Sequence, residues 1–304
     1  MYSRRKFVIS GIAGMVSVSI AGCLEEPGED DVEATMNLLD ENFETFEDID
    51  DRDGPPDAGQ IETIENRLSQ AESHLETAAE VAEDDDIITA ITLGEATVSF
   101  QRALIEILSG FAEFEPGIET FDAYMDAERF DEAIDQAQDL QLLLEEINAA
   151  VDDAKSAIND IDEVQLDPED LMEVTITRSQ IEQISDEISA LQKLVAGLDD
   201  LAFGLQALLS GFELLEAEDL DSAYSEFVDA EQKFEDLEIR YSELEEDPDL
   251  PSHMQSDVIE ISCISGAMHE AAVLAIEGVE AAQEEDWETF DQRFDQVGEA
   301  MDRC

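Results

Sequence analysis

Apolar residues recur three and four positions apart along most of the chain, which is the spacing of amphipathic helices that pack in bundles. The longest unbroken run extends from Val174 to Phe212. With Asp167 as an N-cap and Pro168 in the first helical position, this run predicts one helix over 169–217. Its members are Val174, Thr177, Ile181, Ile184, Ile188, Leu191, Val195, Leu198, Ala202, Leu205, Leu209 and Phe212.

The apolar face of this predicted helix changes along its length. In the first half the apolar stripe is narrow, and one partner helix would cover it. From Leu194 onward a second row of leucines joins the stripe, and Gly197, Gly204 and Gly211 recur every seven residues on another side. We therefore expect several helices to crowd the second half, with the three glycines lining a close-packing groove.

Similar patterns predict the other helices of the chain. Asp57 with Gln60, and Ser252 with Gln255, resemble capping boxes that start two of them. Pro116 is expected to interrupt the third helix. The predicted helices cover about 32–46, 61–82, 87–114, 117–127, 130–161, 220–244, 258–282 and 287–301.

The lengths of these helices predict a projection from the bundle. The helix over 130–161 turns into the long helix, and the helix over 220–244 folds back along the long helix only to about Leu191. That leaves about 148–188 without a covering neighbour. The sequence thus predicts an all-α fold, with a single helical domain over 32–304: an antiparallel long-helix bundle that carries a protruding coiled-coil hairpin arm.

The charge of the chain indicates where such a fold is stable. The 304 residues include 81 Asp and Glu against 14 Lys and Arg, for a formal net charge of -67, yet 43% are hydrophobic. Mutual repulsion on this scale is screened in molar salt, where the Debye length is about 3 Å. The composition resembles that of salt-in halophiles, above all haloarchaea. It argues against nucleic acid as a partner.

The N-terminus carries the features of an export signal. Arg4 and Arg5 precede an apolar run that ends at Ala21, which is too short to span a bilayer of about 20 residues per crossing. The string Ser-Arg-Arg-Lys-Phe over 3–7 resembles a twin-arginine translocation signal. This resemblance implies that 1–22 is a signal peptide.

The end of that run resembles a lipobox. In Ile20-Ala21-Gly22-Cys23, the resemblance implies that Cys23 becomes the lipidated first residue of the mature protein. Together with the acidic residues after it, 23–31 would form a lipidated Cys and a short tether. The protein would then be a lipid-anchored lipoprotein on the outer face of the cytoplasmic membrane. The alternative is an uncleaved N-terminal anchor with Cys23 as an ordinary thiol.

The two remaining cysteines are Cys263 and Cys304. If the last two helices turn near Glu285, both cysteines lie at similar distances from the turn, and an antiparallel pair brings them within about one helical turn. Outside the cytoplasm this favours a disulfide. The alternative is a buried thiol at Cys263 and a frayed terminal Cys304.

Three predicted corners share a short pattern, in which a large apolar residue follows two or three acidic or polar residues and begins the next helix. The corners lie at 127–133, 217–223 and 285–290. Each resembles the helix-to-helix corner of tetratricopeptide repeats, although the large residues Phe130, Leu220 and Trp287 are spaced too widely for that repeat. Generic antiparallel helix corners are the alternative.

The sequence contains no legible catalytic set. The residues three before the histidines are Ala71, Leu250 and Gly266, so the Glu-x-x-His pairs of di-metal bundles are missing, and no metal or cofactor is expected. We therefore expect a non-enzymatic scaffold that docks another protein on the arm or the glycine groove. A lipoprotein that holds a small solute or cation between helices is the alternative. Partner and oligomeric state are not encoded in any motif.

Overall fold

The computed structural model describes residues 26–50, 56–163, 168–248 and 250–304. Their regular structure is helical, and no strand occurs in these ranges. The prediction of an all-α fold of packed helices is confirmed. The helices of the described residues are α1 (Glu29–Asp50), α2 (Ala58–Val81), α3 (Asp85–Asp126), α4 (Phe130–Glu163), α5 (Pro168–Val195), α6 (Leu198–Glu216), α7 (Leu220–Glu245), α8 (Gln255–Gln283) and α9 (Trp287–Met301).

The chain divides into two compact units. The first comprises Met1–Glu113 with Glu145–Ser185, and the second comprises Phe114–Leu144 with Asp186–Cys304. The boundaries fall inside α3, α4 and α5, so these three helices contribute residues to both units. Neither unit is a continuous segment of sequence, and each depends on contacts between distant parts of the chain.

In the first unit, α1 packs against α2 and α3 through polar contacts inside an apolar core. The side chain of Asn42 donates to Gln101 Oε1 over 3.0 Å, and Gln101 Nε2 donates to the carbonyl of Leu39 over 3.0 Å. The hydroxyl of Thr35 donates to the carbonyl of Ala71 over 3.3 Å. Because buried polar groups must be paired, these contacts favour one register of α1 on its neighbours.

The second half of α4 and most of α5 form the segment predicted as a protruding arm, 148–188. Its residues up to Ser185 belong to the first unit, together with α1, α2 and the start of α3. Gly110 of α3 lies directly against Ile147 of α4. Ala150 of α4, which lies beside the predicted seam, is 2% exposed. In the first unit α3 thus contacts α4 beside the start of this segment.

Helix α3 does not end at Pro116 as predicted, but continues past it. A proline in a helix interior costs about 3 kcal/mol because it lacks an N–H group and crowds the preceding turn. Phe114 and Phe121, on either side of the proline, are both buried, and their burial favours a continuous helix. Gly117 also lets α4 approach, since a Cβ there would lie 2.7 Å from Leu140 Cδ2.

The folded part of the chain begins inside the segment 23–31, which was predicted to be a tether. The main-chain N–H of Glu26 donates to Glu29 Oε2 over 3.2 Å, and α1 begins at Glu29. One turn further, Asp31 contacts His74 of α2 with 2.7 Å between Oδ1 and Nδ1. Acidic residues suit the first turn of a helix because of its dipole. Residues from Glu26 onward therefore belong to the fold.

In the second unit, α6 to α9 follow one another as antiparallel neighbours. α7 packs against both α6 and α8, and α9 packs against α8. Near the α6–α7 and α8–α9 corners, Tyr224 Oη lies 3.4 Å from Glu280 Oε1, and Gln283 Nε2 lies 3.3 Å from Asp221 Oδ1. These contacts place the start of α7 beside the end of α8.

The prediction of one continuous helix over 169–217 is wrong, because the helix breaks at Gly197 between α5 and α6. The hydroxyl of Tyr241 in α7 donates to the carbonyl of Leu194 over 2.8 Å. A side chain that takes over a main-chain carbonyl is a recognised cause of a kink. The seven-residue apolar spacing continues through the break, so the pattern alone does not reveal it.

Of the two predicted capping boxes, one is present. Asp57 Oδ1 accepts from the N–H of Gly59 over 2.9 Å, and Gln60 Oε1 accepts from the N–H of Asp57 over 3.3 Å. The box predicted at Ser252 is wrong, because α8 follows Met254 without any side-chain cap. Met254 is 1% exposed, so burial of its side chain determines where this helix begins.

Candidate functional site

The glycine row predicted to line a groove is filled by the chain itself. A Cβ on Gly197 would lie 2.5 Å from Tyr241 Oη, and one on Gly204 would lie 2.8 Å from Phe234 Cζ. One on Gly211 would lie 2.5 Å from a ring carbon of Phe227. The three aromatic residues recur every seven positions on α7, opposite the glycines of α6. Gly197, Gly204 and Gly211 are therefore positions of close packing on α7, and rings of α7 occupy the groove that was expected to dock a partner.

The disulfide predicted between Cys263 and Cys304 is present, with 6.0 Å between the Cα atoms. It joins α8 to the residues that follow α9. Two ion pairs hold the same helices together, from Arg303 to Glu270 and from Arg293 to Glu277. The other predicted site residues, Arg4 and Arg5 of the signal and the lipidated Cys23, lie outside the described residues.

Four helices of the second unit meet in a cluster of aromatic rings. Phe212 of α6 lies 5.2 Å from Phe227 of α7 and 6.2 Å from Phe294 of α9, measured between ring centroids. Gly278 of α8 makes room for α9, since a Cβ there would lie 2.5 Å from Phe294 Cε2. Offset and edge-to-face ring contacts of this kind stabilise a core beyond simple burial.

This cluster leads outward to the only tryptophan of the sequence. Phe290 lies 4.7 Å from Phe294, and Trp287 lies 5.8 Å from Phe290 in an edge-to-face arrangement. Trp287 is 57% exposed. One turn along α9, Asp291 shares the face that carries Trp287 and Phe290, because residues three and four apart in a helix are neighbours. We call Trp287, Phe290 and Asp291 the Trp287 surface.

The corner before α9 holds Trp287 in a fixed place. Glu285 has a positive φ of 65°, and the N–H of Asp286 donates back to the carbonyl of Ala281 over 2.8 Å, which is the bond pattern of a Schellman turn. Asp286 then caps α9 by accepting from the N–H and the hydroxyl of Thr289, and these hydrogen bonds lower the pKa of Asp286. Hydrogen bonds thus fix the backbone both before and after the first residue of α9.

The three corners that looked alike in sequence also share this geometry. Glu128 and Glu218 have φ angles of 57° and 61°, close to that of Glu285. At the first corner the N–H of Arg129 donates to the carbonyl of Tyr124 over 2.9 Å, the same bond that closes the corner before α9. The large residue that begins each following helix therefore comes directly after a left-handed turn.

At two places in the second unit, a basic side chain of the protein lies against an aromatic ring and is paired with a carboxylate. The guanidinium of Arg129 lies 4.6 Å from the ring centroid of Tyr124 and 2.7 Å from Glu132 Oε1. This contact lowers the pKa of Glu132. The ammonium of Lys233 likewise lies 5.4 Å from the ring centroid of Phe203, and it is paired with an aspartate of α6 over 2.5 Å.

The described residues offer little to a small ligand or a metal. No group of three or more His, Cys, Asp or Glu side chains among them is placed to hold a metal ion. Two grooves of this part of the chain have volumes of about 140 and 130 Å³ and are open to solvent. The first lies beside Lys193 and Asp247, and the second beside Lys155 and Arg178. Ligand pockets usually measure about 300 Å³ or more.

Two segments of the described chain, Val174–Glu216 and Gln255–Gln283, are apolar and long enough to cross a membrane by length and composition alone. Their mean hydropathies are 1.3 and 1.4. Core helices of bundles pass the same test, and α6 and α8 both pack against α7. No family model, curated protein or solved structure matches the chain.

Trp287 was not among the predicted site residues. The sequence pattern identified it only as the large residue of the third corner, with Phe130 and Leu220 in the other two. Trp287 comes directly after three acidic residues, Glu284 to Asp286, in a corner, but this position does not by itself predict exposure.

Proposed function

We propose that this chain is a non-enzymatic, lipid-anchored helical scaffold on the outer face of the cytoplasmic membrane, and that it binds another protein through the Trp287 surface. The observation that carries the proposal is the exposure of Trp287, 57%, at the end of an otherwise packed row of rings. Rings of α7 fill the glycine groove, one of the two places where docking was first expected.

An exposed tryptophan on a rigid support suits protein recognition. Tryptophan is enriched among the residues whose truncation costs more than about 2 kcal/mol at interfaces, because it buries a large area with few rotatable bonds. Phe290 contacts the indole edge-to-face, and Phe294 packs in turn against Phe290. Little conformational entropy would therefore be lost when a partner covers this ring.

Features of the sequence support the proposed location. Arg4, Arg5 and Cys23 lie in a signal-like and lipobox-like segment, and the acidic composition is typical of proteins that meet strong salt. The Cys263–Cys304 disulfide is in keeping with a compartment outside the reducing cytoplasm. Substitution of Cys23 by Ser is expected to release the protein from the membrane fraction, and continued sedimentation with membranes would contradict lipid anchoring.

Affinity purification from detergent-solubilised membranes in molar KCl tests the binding function. The full-length protein should retain a partner in a fixed ratio, and W287A should lose it. The matched control is I239A, because Ile239 of α7 is 53% exposed in the same unit but is not part of the Trp287 surface. Far-UV circular dichroism confirms that both variants fold.

Equal recovery of the partner by W287A and the unaltered protein would refute binding through this surface. Loss of the partner by I239A as well as W287A would also refute it, since the contact would then not be specific to the indole.

A further inference from the structure

We propose that the Trp287 surface recognises an arginine side chain of its partner protein, with the guanidinium lying over the indole and paired with Asp291. The inference rests on the proposed function, because it names the chemistry that the same surface would bind. It is carried by the exposed indole of Trp287 and by the exposed carboxylates that precede and follow it on the chain.

The contact at the first corner shows how this chain combines a ring, a guanidinium and a carboxylate, although its ring, Tyr124, precedes the left-handed residue whereas Trp287 follows it. Arg129 follows the left-handed residue Glu128, lies over Tyr124 at 4.6 Å, and binds Glu132 through both Nε and Nη2 at 3.1 and 2.7 Å. Ring, guanidinium and carboxylate thus form one unit. At the corner before α9 the position of Arg129 is taken by Asp286, so the chain places no arginine of its own there.

The surface around Trp287 is complementary to a cation. Glu284, Glu285 and Asp286 precede the indole, and Glu288 and Asp291 follow it; all five are exposed. No arginine or lysine of the described residues lies over Trp287, since the two such contacts in that part of the chain are made by Arg129 and Lys233. A partner cation would therefore meet an open indole face with carboxylates beside it.

Arginine suits this surface better than lysine does in strong salt. Charges more than about 3 Å apart are screened at molar ionic strength, so long-range attraction contributes little. A guanidinium is planar and weakly hydrated, which lets it stack on the indole and bind a carboxylate edge-on in direct contact. Tryptophan is also the aromatic residue that attracts a cation most strongly.

The single tryptophan makes the test direct. The indole N–H resonance of the full-length protein, labelled with nitrogen-15 and kept in molar KCl, is followed while a blocked Gly-Arg-Gly peptide is added. The same peptide with citrulline in place of arginine keeps the shape and removes the charge. We expect the arginine peptide to move the resonance in a saturable way, and the citrulline peptide to bind at least about tenfold more weakly.

Two variants separate recognition of the cation from general charge. Asp291→Asn should lower the affinity for the arginine peptide about threefold to fivefold, because it removes the neighbouring carboxylate. Glu299→Gln, an exposed change further along α9, should leave the affinity unaltered. Equal binding of the citrulline peptide, equal effects of the two variants, or no saturable shift would overturn the inference.

The failure of this inference can be told apart from the failure of the proposed function. If W287A loses the partner while the arginine peptide does not bind, the Trp287 surface binds a protein through other chemistry and only the arginine inference falls. If W287A keeps the partner, the proposed function falls as well.

Discussion

The hydroxyl of Tyr241 in α7 donates a hydrogen bond to the main-chain carbonyl of Leu194, 2.8 Å away, where α5 ends. Arg240, the preceding residue, donates to the carbonyl of Ala196 in the same break. Two side chains of α7 thus pair with carbonyls that an unbroken helix would pair with its own N–H groups. The break at Gly197 is therefore specified by residues more than forty positions later in the sequence.

Removal of the Tyr241 hydroxyl tests this specification. Tyr241 is fully buried, and burial raises the pKa of its phenol, so it is a neutral donor at any ordinary pH. Tyr241→Phe leaves the carbonyl of Leu194 without its partner and should lower the free energy of unfolding by about 1–3 kcal/mol. Denaturant unfolding in molar KCl measures this change.

The control for that variant is Tyr224→Phe. The hydroxyl of Tyr224 makes only a long contact of 3.4 Å with Glu280 at the surface, and its removal should change stability by less than about 0.5 kcal/mol. Equal effects of the two substitutions would show that the Leu194 contact has no special part in the fold.

The close packing of α6 on α7 predicts a steric penalty at Gly204. A Cβ at this position would lie 2.8 Å from Phe234 Cζ and 2.9 Å from Phe234 Cε1. Gly204→Ala should therefore destabilise the protein by about 1–3 kcal/mol, although alanine is the better helix former. Phe234→Leu removes the obstructing ring carbons. In that background, Gly204→Ala should lower the free energy of unfolding by less than it does when Phe234 is present.

The matched control is Gly298→Ala in α9. A Cβ on Gly298 would meet nothing within 4 Å, so the substitution should stabilise α9 by about 0.5–1 kcal/mol. If Gly204→Ala were also stabilising, α6 and α7 would not pack as closely as the structure indicates.

The left-handed corner residues predict a gain in stability. Glu218 has a φ of 61° and closes α6, although glycine adopts this conformation with less strain. A glutamate also places negative charge at the negative end of the helix dipole. Glu218→Gly should raise the free energy of unfolding by about 0.5–1 kcal/mol, as measured by thermal unfolding.

Glu213→Gly, in the same helix, is the control and should lower the free energy of unfolding. Glu213 is exposed in the interior of α6, where glycine costs about 1 kcal/mol. A loss of stability for both variants would mean that the corner is not closed by a left-handed residue.

The disulfide predicts a large contribution to the stability of the C-terminal helices. Cys263 and Cys304 are 41 positions apart, and closing a loop of this length contributes about 4 kcal/mol in the chain-entropy model. The double substitution of both cysteines by Ser should lower the unfolding midpoint accordingly. A reducing agent should have the same effect on the unaltered protein and no effect on the double variant.

Much of the fold could be predicted from the sequence because its information is local. The apolar spacing identifies the helices, and the shared corner pattern corresponds to three turns with nearly the same φ at Glu128, Glu218 and Glu285. Asp57 begins α2 as its capping box predicts. The pairing of Cys263 with Cys304 followed from counting residues on both sides of one corner.

The errors came from contacts between distant residues. The break at Gly197 depends on Tyr241, and the continuation of α3 through Pro116 depends on burial of Phe114 and Phe121. The glycine row was assigned to a partner although Phe227 and its equivalents on α7 carry the same spacing and fill it. Comparison of spacings between neighbouring helices would have revealed this. No local pattern marks Trp287 as exposed.

Photo-cross-linking in intact membranes tests the proposed function most directly. A benzoylphenylalanine in place of Glu288, next to Trp287, should form one discrete adduct with another protein on irradiation, and the additional change W287A should abolish it. The same probe in place of Glu243, exposed on α7, should form no such adduct. An adduct at position 288 that persists without the tryptophan, or an equal adduct from position 243, would contradict binding through the Trp287 surface.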